Sequence, residues 1–224
     1  MSADDEVRFV PEPVAEIVGE RSHGGHGRRR QKKRPRKVTE RYLRNVARWY
    51  VERYAPCTSQ LRRALMKRVN SGLREHGGDR EEALAWVEVV ITQQVNSGAV
   101  NDAAYALAWA ESYYRRGKAL RDIRYRLRGK GLDTSVADEA MRQLESSLSG
   151  DPDLAAACAY ARRRRLGPFR VLPEKRAARA EKDLAAMMRA GHRYTHVKRV
   201  LGCEDLSAFT RLHAEANGES PPEL

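Results

Sequence analysis

Residues 101–144 read NDAAYALAWAESYYRRGKALRDIRYRLRGKGLDTSVADEAMRQL, and three helices can be parsed from them. The first begins at Asn101 or Asp102 and sets Ala104, Tyr105, Ala108, Trp109 and Tyr113 along one face, before Gly117 ends it. The second places Leu120, Ile123 and Leu127 at offsets 0, +3 and +7 and stops at Gly129-Lys130-Gly131. The third is capped by Asp133 and carries Val136, Ala137, Ala140, Met141 and Leu144. Apolar residues recurring at three and four positions form one side of a 3.6-residue helix. Asp before such a run and Gly after it are start and stop signals.

The same grammar extends in both directions. Downstream, Leu154, Cys158 and Ala161 mark a helix ended by Gly167-Pro168. Pro173 opens another, with Ala177, Ala180, Leu184 and Met187 as its stripe and Gly191 as its end. Val197, Val200 and Leu201 mark a short third one, and Leu206, Phe209 and Leu212 a last. Upstream, Thr39 caps a helix through Leu43, Val46, Ala47, Tyr50 and Tyr54, which Ala55-Pro56 stops because the residue before Pro avoids the helical region. Thr58 or Ser59 caps the next, through Leu61, Leu65 and Val69, and Gly72, Gly77 and Gly78 break the chain. Asp79 with Glu82 opens a third, through Leu84, Val87, Ile91 and Val95.

Gly131 and Gly191 align two of these triplets: Leu127 then matches Met187, Ala137 matches Val197, and Met141 matches Leu201. The expected fold is therefore all-α, an elongated array of three tandem three-helix repeats over 38–100, 101–149 and 150–203. A disordered arm, 1–37, precedes them, and a terminal helix with an acidic tail, 204–224, follows.

Of 224 residues, 43 are Lys or Arg and 30 are Asp or Glu, a net charge of +13. The charge is segregated. Residues 1–27 hold six acids against Arg8 and Arg21, residues 28–37 (RRRQKKRPRK) hold eight cations and no acid, and residues 204–224 hold five acids against Arg211. The middle, 38–203, is strongly basic without its arm, which points to a polyanionic partner. An arm of like charges and few aromatics cannot bury a core; it reads as a solubilising tail or as a phosphate-contacting arm. No run approaches the 18 apolar residues of a membrane helix, and the N-terminus has no secretory pattern. Cys57, Cys158 and Cys203 are too scattered for a disulfide framework or a zinc site and read as small buried hydrophobes in a reducing cytoplasm.

No phosphate-binding glycine loop, metalloprotease helix or nucleophile elbow is present, so the expectation is a non-enzyme with no cofactor. His192 and His196, spaced i, i+4, read as surface histidines rather than metal ligands. What remains is basic helix surface. Residues 115–130 carry Arg115, Arg116, Lys118, Arg121, Arg124, Arg126, Arg128 and Lys130 against Asp122, with Tyr114 and Tyr125 interleaved. Arg121, Arg124 and Arg128 each follow a buried position by one residue and form a stripe about 100° around the helix. Arg162, Arg163, Arg164 and Arg165 open a second basic run, joined by Arg170, Lys175, Arg176, Arg179 and Lys182. Such runs are either solvated helix faces or a continuous basic face that contacts phosphates.

The middle triplet resembles the RecX regulatory proteins. That family's pattern is met by Asn101-Asp102, Tyr105-Ala106, Trp109, Arg116-Gly117-Lys118, Ile123, Leu127 and Lys130-Gly131-Leu132-Asp133. The third triplet matches the family's C-terminal part through Arg162 to Arg165, Gly191 and Val197…Val200-Leu201, so the likeness spans about 40–202. Ala119, Asn101 and His192 depart from it, as does the Gly72–Gly78 region. The resemblance implies a cytoplasmic bacterial modulator of the RecA recombinase, built of three-helix repeats. It would lie along the groove of the RecA–single-stranded-DNA filament and suppress its ATPase and strand exchange. On that reading the chain acts as a monomer. Arg115, Arg116, Lys118, Arg121, Arg124, Arg128, Lys130 and Arg162 to Arg165 are the candidate contacts to RecA or DNA. A general nucleic-acid-binding architectural protein is the alternative.

Overall fold

The computed structural model describes residues 34–170 and 172–220. The acidic segment, most of the basic arm and the last four residues of the tail lie outside these. Among the described residues the regular structure is ten α-helices and one 3-10 turn, with no strand. The chain divides into two compact units, one ending at Asn101 and the other starting at Asp102.

The first unit is a triplet: α1 (Glu40–Tyr54), α2 (Thr58–His76) and α3 (Arg80–Asn96), each packed on the other two. Thr39 caps α1, its Oγ1 accepting the Tyr42 N–H at 3.2 Å, and Ala55 ends it in the left-handed region at φ 39°. Asp79 caps α3 by accepting from Glu81 and Glu82 N–H. The core joins Leu43, Ala47, Leu61, Leu65, Val69, Ala83, Val87, Val90 and Ile91. Each fully buried aliphatic side chain there contributes about 1.5–3 kcal/mol of transfer free energy.

Three expectations are corrected here. Gly72 does not break the chain; it lies inside α2, which runs on to His76. A Cβ at Gly72 would sit 2.5 Å from Val38 Cγ2 and 2.8 Å from the Arg36 carbonyl, so its missing side chain makes room for the segment entering α1. Val38 is thereby buried, and the Pro35 carbonyl accepts from His76 Nε2 at 2.7 Å. The cap of α2 is Cys57, with no side-chain cap bond, rather than Thr58 or Ser59. On α3, Val90 rather than Val95 completes the buried stripe, and Val95 is exposed.

The second unit holds α4 (Asp102–Arg115), α5 (Leu120–Gly129), α6 (Thr134–Ser146), α7 (Pro152–Arg164), the 3-10 turn Gly167–Phe169, α8 (Pro173–Arg189), α9 (Tyr194–Leu201) and α10 (Leu206–Ala216). Asp133, Asp151 and Asp205 cap α6, α7 and α10. α4 packs on α5 and α6 through Trp109, Ala110, Ile123, Leu127, Ala137 and Met141. α7 is central to the rest: it meets α8, α9, α10 and the 3-10 turn around Leu154, Cys158, Met187, Val197, Val200 and Phe209.

The two glycines that aligned the triplets are geometrically alike. Gly131 (φ 78°) follows α5 and Gly191 (φ 92°) follows α8, and each N–H donates to a carbonyl three residues back, at 3.0 Å. Gly117 has φ 72° for a second reason as well: a Cβ there would lie 2.3 Å from the Tyr160 amide nitrogen, so the α4–α5 turn sits directly on the α7 backbone.

The stripes on α4 and α8 differ from expectation. Ala104 is exposed, and α4 buries Ala106, Trp109, Ala110 and Ser112. On α8, Ala177 and Ala180 are exposed; Met187 is buried as expected, and Asp183 is buried with it.

Candidate functional site

The basic residues of the second unit fall into two physical classes. In the first, the charge is already met inside the fold. Arg115 pairs with Glu111 at 3.5 Å. Asp122 receives both Lys118 (3.7 Å) and Arg126 (2.8 Å). Arg124 reaches Glu145 at 3.0 Å and Asp138 at 3.7 Å, and Arg128 reaches Asp138 at 3.3 Å, so both clasp α5 to α6. The Lys130 ammonium lies 3.5 Å from the Trp109 ring centre, with Tyr105 and Tyr113 at 5.8 and 6.0 Å. Three aromatic faces from successive turns of α4 thus hold one cation delivered by the end of α5, an attraction of about 0.5–2 kcal/mol.

In the second class, no carboxylate lies within ion-pair distance among the described residues. It contains Arg116, Arg121 and the run Arg162, Arg163, Arg164 and Arg165. Arg121 and all four members of the run are exposed. The run ends α7, with Arg165 in the left-handed region at φ 53° as its cap. Cations there complement the negative end of the helix dipole. The stripe Arg121, Arg124, Arg128 does lie on one face of α5. It is nonetheless shared out: Arg124 and Arg128 turn to α6 and Arg121 to solvent. Tyr125 is 77% exposed. Tyr114 faces inward, its hydroxyl donating to the Pro152 carbonyl at 3.3 Å, and burial pushes that hydroxyl up to about 12.

The chain just beyond the arginine run is pinned by a group the sequence reading passed over. Asp183 is 2% exposed. Its carboxylate accepts from the Gly167 N–H at 3.1 Å, from Arg170 Nε at 2.7 Å and from Arg170 Nη2. Burial works against this charge, but the Arg170 and Gly167 hydrogen bonds outweigh it and hold its pKa below the ordinary aspartate value. Arg176 adds bonds to the Glu204 and Pro168 carbonyls. Arg170 and Arg176 are therefore structural, whereas Lys175, Arg179 and Lys182 stay exposed. An acid one residue from the apolar stripe of α8 was the available signal.

The two histidines are a further correction. His192 is 4% exposed, with its ring 5.1 Å from that of Tyr160. Burial pushes it down to about 4. His196 Nε2 faces Asp151 at 3.3 Å. Both face the interior rather than the surface. Among the described residues no group of three His, Cys, Asp or Glu is arranged to hold a metal ion. Cys57, Cys158 and Cys203 are all buried, as expected. No helix among the described residues is long and apolar enough to cross a membrane. In chemical terms the unit offers a fixed array of guanidinium groups, whose planar donors match phosphate and carboxylate oxygens two at a time.

Residues 101–141, which build α4, α5 and most of α6, match the family model described as RecX, second three-helix domain. A protein of Myxococcus xanthus named Regulatory protein RecX is 40% identical over 182 residues, covering 80% of this chain and 96% of that protein. The chain belongs to the RecX family. A second RecX, from Agrobacterium fabrum, is 30% identical over 151 residues, covering 67% of this chain and 76% of its own length. A third, from Streptomyces coelicolor, is 38% identical over 60 residues, or 26% of this chain and 32% of that protein. No solved structure matches the chain. The RecX match places Trp109, Lys118, Arg121, Arg124, Arg128 and Lys130 inside the matched domain. Arg162 to Arg165 lie beyond it, within the longer alignment to the Myxococcus RecX in extent of coverage alone.

Proposed function

We propose that this chain is a cytoplasmic regulatory protein that binds the RecA–single-stranded-DNA filament as a monomer and inhibits its ATPase and strand exchange. One observation carries the reading. In a chain of the RecX family, Arg121 and Arg162 to Arg165 stand exposed with no carboxylate within ion-pair distance among the described residues, ready for an acidic protein surface or DNA phosphates. Arg115, Arg116, Lys118, Arg124, Arg128 and Lys130 contribute around them. Several of their internal partners are exposed surface pairs worth about 0–1 kcal/mol, so exchanging them for a partner's groups costs little. Contacts that bridge neighbouring RecA protomers would oppose the rearrangement turnover requires. Binding of this kind calls for no catalytic residue and no cofactor.

The test is the RecA ATPase on single-stranded DNA, titrated with the protein at fixed salt, beside a DNA-binding control without RecA. Inhibition is expected at protein levels too low to coat the DNA. The variant carrying Arg121→Glu, Arg163→Glu and Arg164→Glu is expected to lose at least tenfold in inhibitory potency with its helicity intact. Those positions are chosen because reversing Arg124 or Arg128 would set Glu against Asp138 and Glu145 and loosen α5 from α6. Undiminished inhibition by the triple variant refutes the assignment. Inhibition that appears only at DNA saturation replaces it with the architectural nucleic-acid-binding reading.

A further inference from the structure

The first unit carries two exposed aromatic side chains that its own core does not use, beside a third, Tyr50, that packs on it. Trp49 is 52% exposed and Tyr54 39% exposed, although the other two tryptophans are sheltered: Trp86 packs on the core of the first unit and Trp109 is buried in the second. Leaving a Trp in water forfeits the large apolar burial that ordinarily places it inside. Trp49 is not isolated either. Its ring meets that of Tyr54 edge to face, at 5.8 Å and 81°, and Tyr50 lies 4.9 Å from Tyr54. Three rings are thus gathered at the C-terminal end of α1.

Cations surround them. The Arg53 guanidinium stands 5.8 Å from the Tyr54 ring centre. Arg48 is exposed on α1 next to Trp49, and Arg63 of α2 is exposed and close enough to Tyr50 to act on its hydroxyl. None of these three has a carboxylate within ion-pair distance among the described residues. Together α1 and α2 hold nine Lys and Arg against Glu40, Glu52 and Glu75. Arg44 and Arg62 are matched by Glu40 and Glu88, and Arg48, Arg53 and Arg63 belong to the surplus that remains.

Exposed π-faces beside guanidinium groups are complementary to a chain that alternates phosphates with flat bases. In a duplex the bases are stacked on each other and closed to an aromatic side chain; in a single strand they are open. Protein interfaces also use Trp, Tyr and Arg as anchors, so a protein partner is the competing occupant that the measurement below separates. We infer that the Trp49–Tyr54 end of α1 is a stacking platform for single-stranded nucleic acid, with Arg48, Arg53 and Arg63 holding the flanking phosphates. This site lies in a different unit from the arginine run of α7 and does not depend on the recombinase reading.

The experiment uses the full chain and an oligothymidylate with no recombinase present, and then recombinase binding by the same variants. Trp49 is its own reporter: stacking is expected to quench the intrinsic fluorescence of the wild type, and Trp49→Phe is expected to abolish most of that quenching. By anisotropy of a labelled oligonucleotide, Trp49→Ala and Tyr54→Ala are each expected to weaken binding roughly 5- to 100-fold, in line with the measured worth of one base–aromatic stack. The salt slope should stay unchanged, since the phosphate contacts remain. Trp49→Phe, which keeps a ring, is expected to bind within about threefold of wild type. Both alanine variants should melt with the wild type, because the side chains removed are exposed.

Oligonucleotide affinity unchanged by Trp49→Ala overturns the inference. So does equal affinity and equal quenching with a duplex of the same sequence, which leaves phosphate attraction alone. A loss confined to recombinase binding, with DNA affinity intact, makes the cluster a protein-docking patch and overturns it as well.

Discussion

Asp183→Ala is the substitution whose outcome the structure constrains most tightly. The carboxylate is buried, takes both nitrogens of the Arg170 fork and accepts the Gly167 N–H. Removing it strands one guanidinium and one amide. Breaking a buried pair by deleting one partner costs about 3–5 kcal/mol. The Arg170 side chain is 23% exposed, so solvent recovers part of that. The orphaned Gly167 amide adds on the order of 1–3 kcal/mol. These contributions overlap, and a loss of about 4 kcal/mol is expected. At a urea dependence of ~2 kcal/mol per molar, the unfolding midpoint should fall by ~2 M. The measurement is urea unfolding in a Trp49→Phe, Trp86→Phe background, where Trp109 alone reports on the second unit. Arg170→Ala and the double variant complete a cycle, with a coupling of at least ~2 kcal/mol expected. The pH dependence has a defined sign. The Asp183 pKa is lowered in the fold, so its contribution is full above the ordinary carboxylate range and disappears as pH falls through and below it. A loss below ~1 kcal/mol, or negligible coupling, would reduce the pair to a surface ion pair and remove its role in fixing the chain beyond Arg165.

Two further outcomes are expected. His192 is held down to about 4 by burial, against about 6.5 when unfolded, so stability should decline as pH falls from ~6.5 toward 4, by up to about 3 kcal/mol. His192→Leu should flatten that slope in thermal melts across the interval, and a slope unchanged by it would assign the decline to other groups. Gly117→Ala forces a Cβ onto the Tyr160 backbone at φ 72° and should cost about 2–4 kcal/mol, whereas Gly98→Ala, whose Cβ meets nothing, should cost only the left-handed strain of about 1–2 kcal/mol; equal melting of the two variants would contradict the close contact.

What the sequence by itself determined is local. Thr39, Asp79, Asp133, Asp151 and Asp205 bond to amides two or three residues away, and the left-handed turns at Gly117, Gly131 and Gly191 arise within a single turn of chain. Helix existence, most helix ends and the stripes of α5, α6 and α9 follow from such short-range chemistry, and so does the RecX resemblance, which rests on their ordered spacing. The basic surplus was equally legible, because net charge is a sum that no folding alters.

The tertiary structure decided everything that depends on which distant group arrives. Gly72 stays helical because Val38 and Arg36 come to rest over it. Arg170 and Asp183 are thirteen residues apart, and their pairing turns a solvent-loving acid into the buried residue of α8, leaving Ala177 and Ala180 outside. His192 is interior because Tyr160 covers it. The same holds for the candidate contacts. A run of arginines looks uniform on paper, yet Asp138 and Glu145 on α6 claim Arg124 and Arg128 and leave Arg121 open, and Trp109 receives Lys130. Charge is a property of the residue; its availability to a partner is a property of the neighbours that packing brings within a few ångströms.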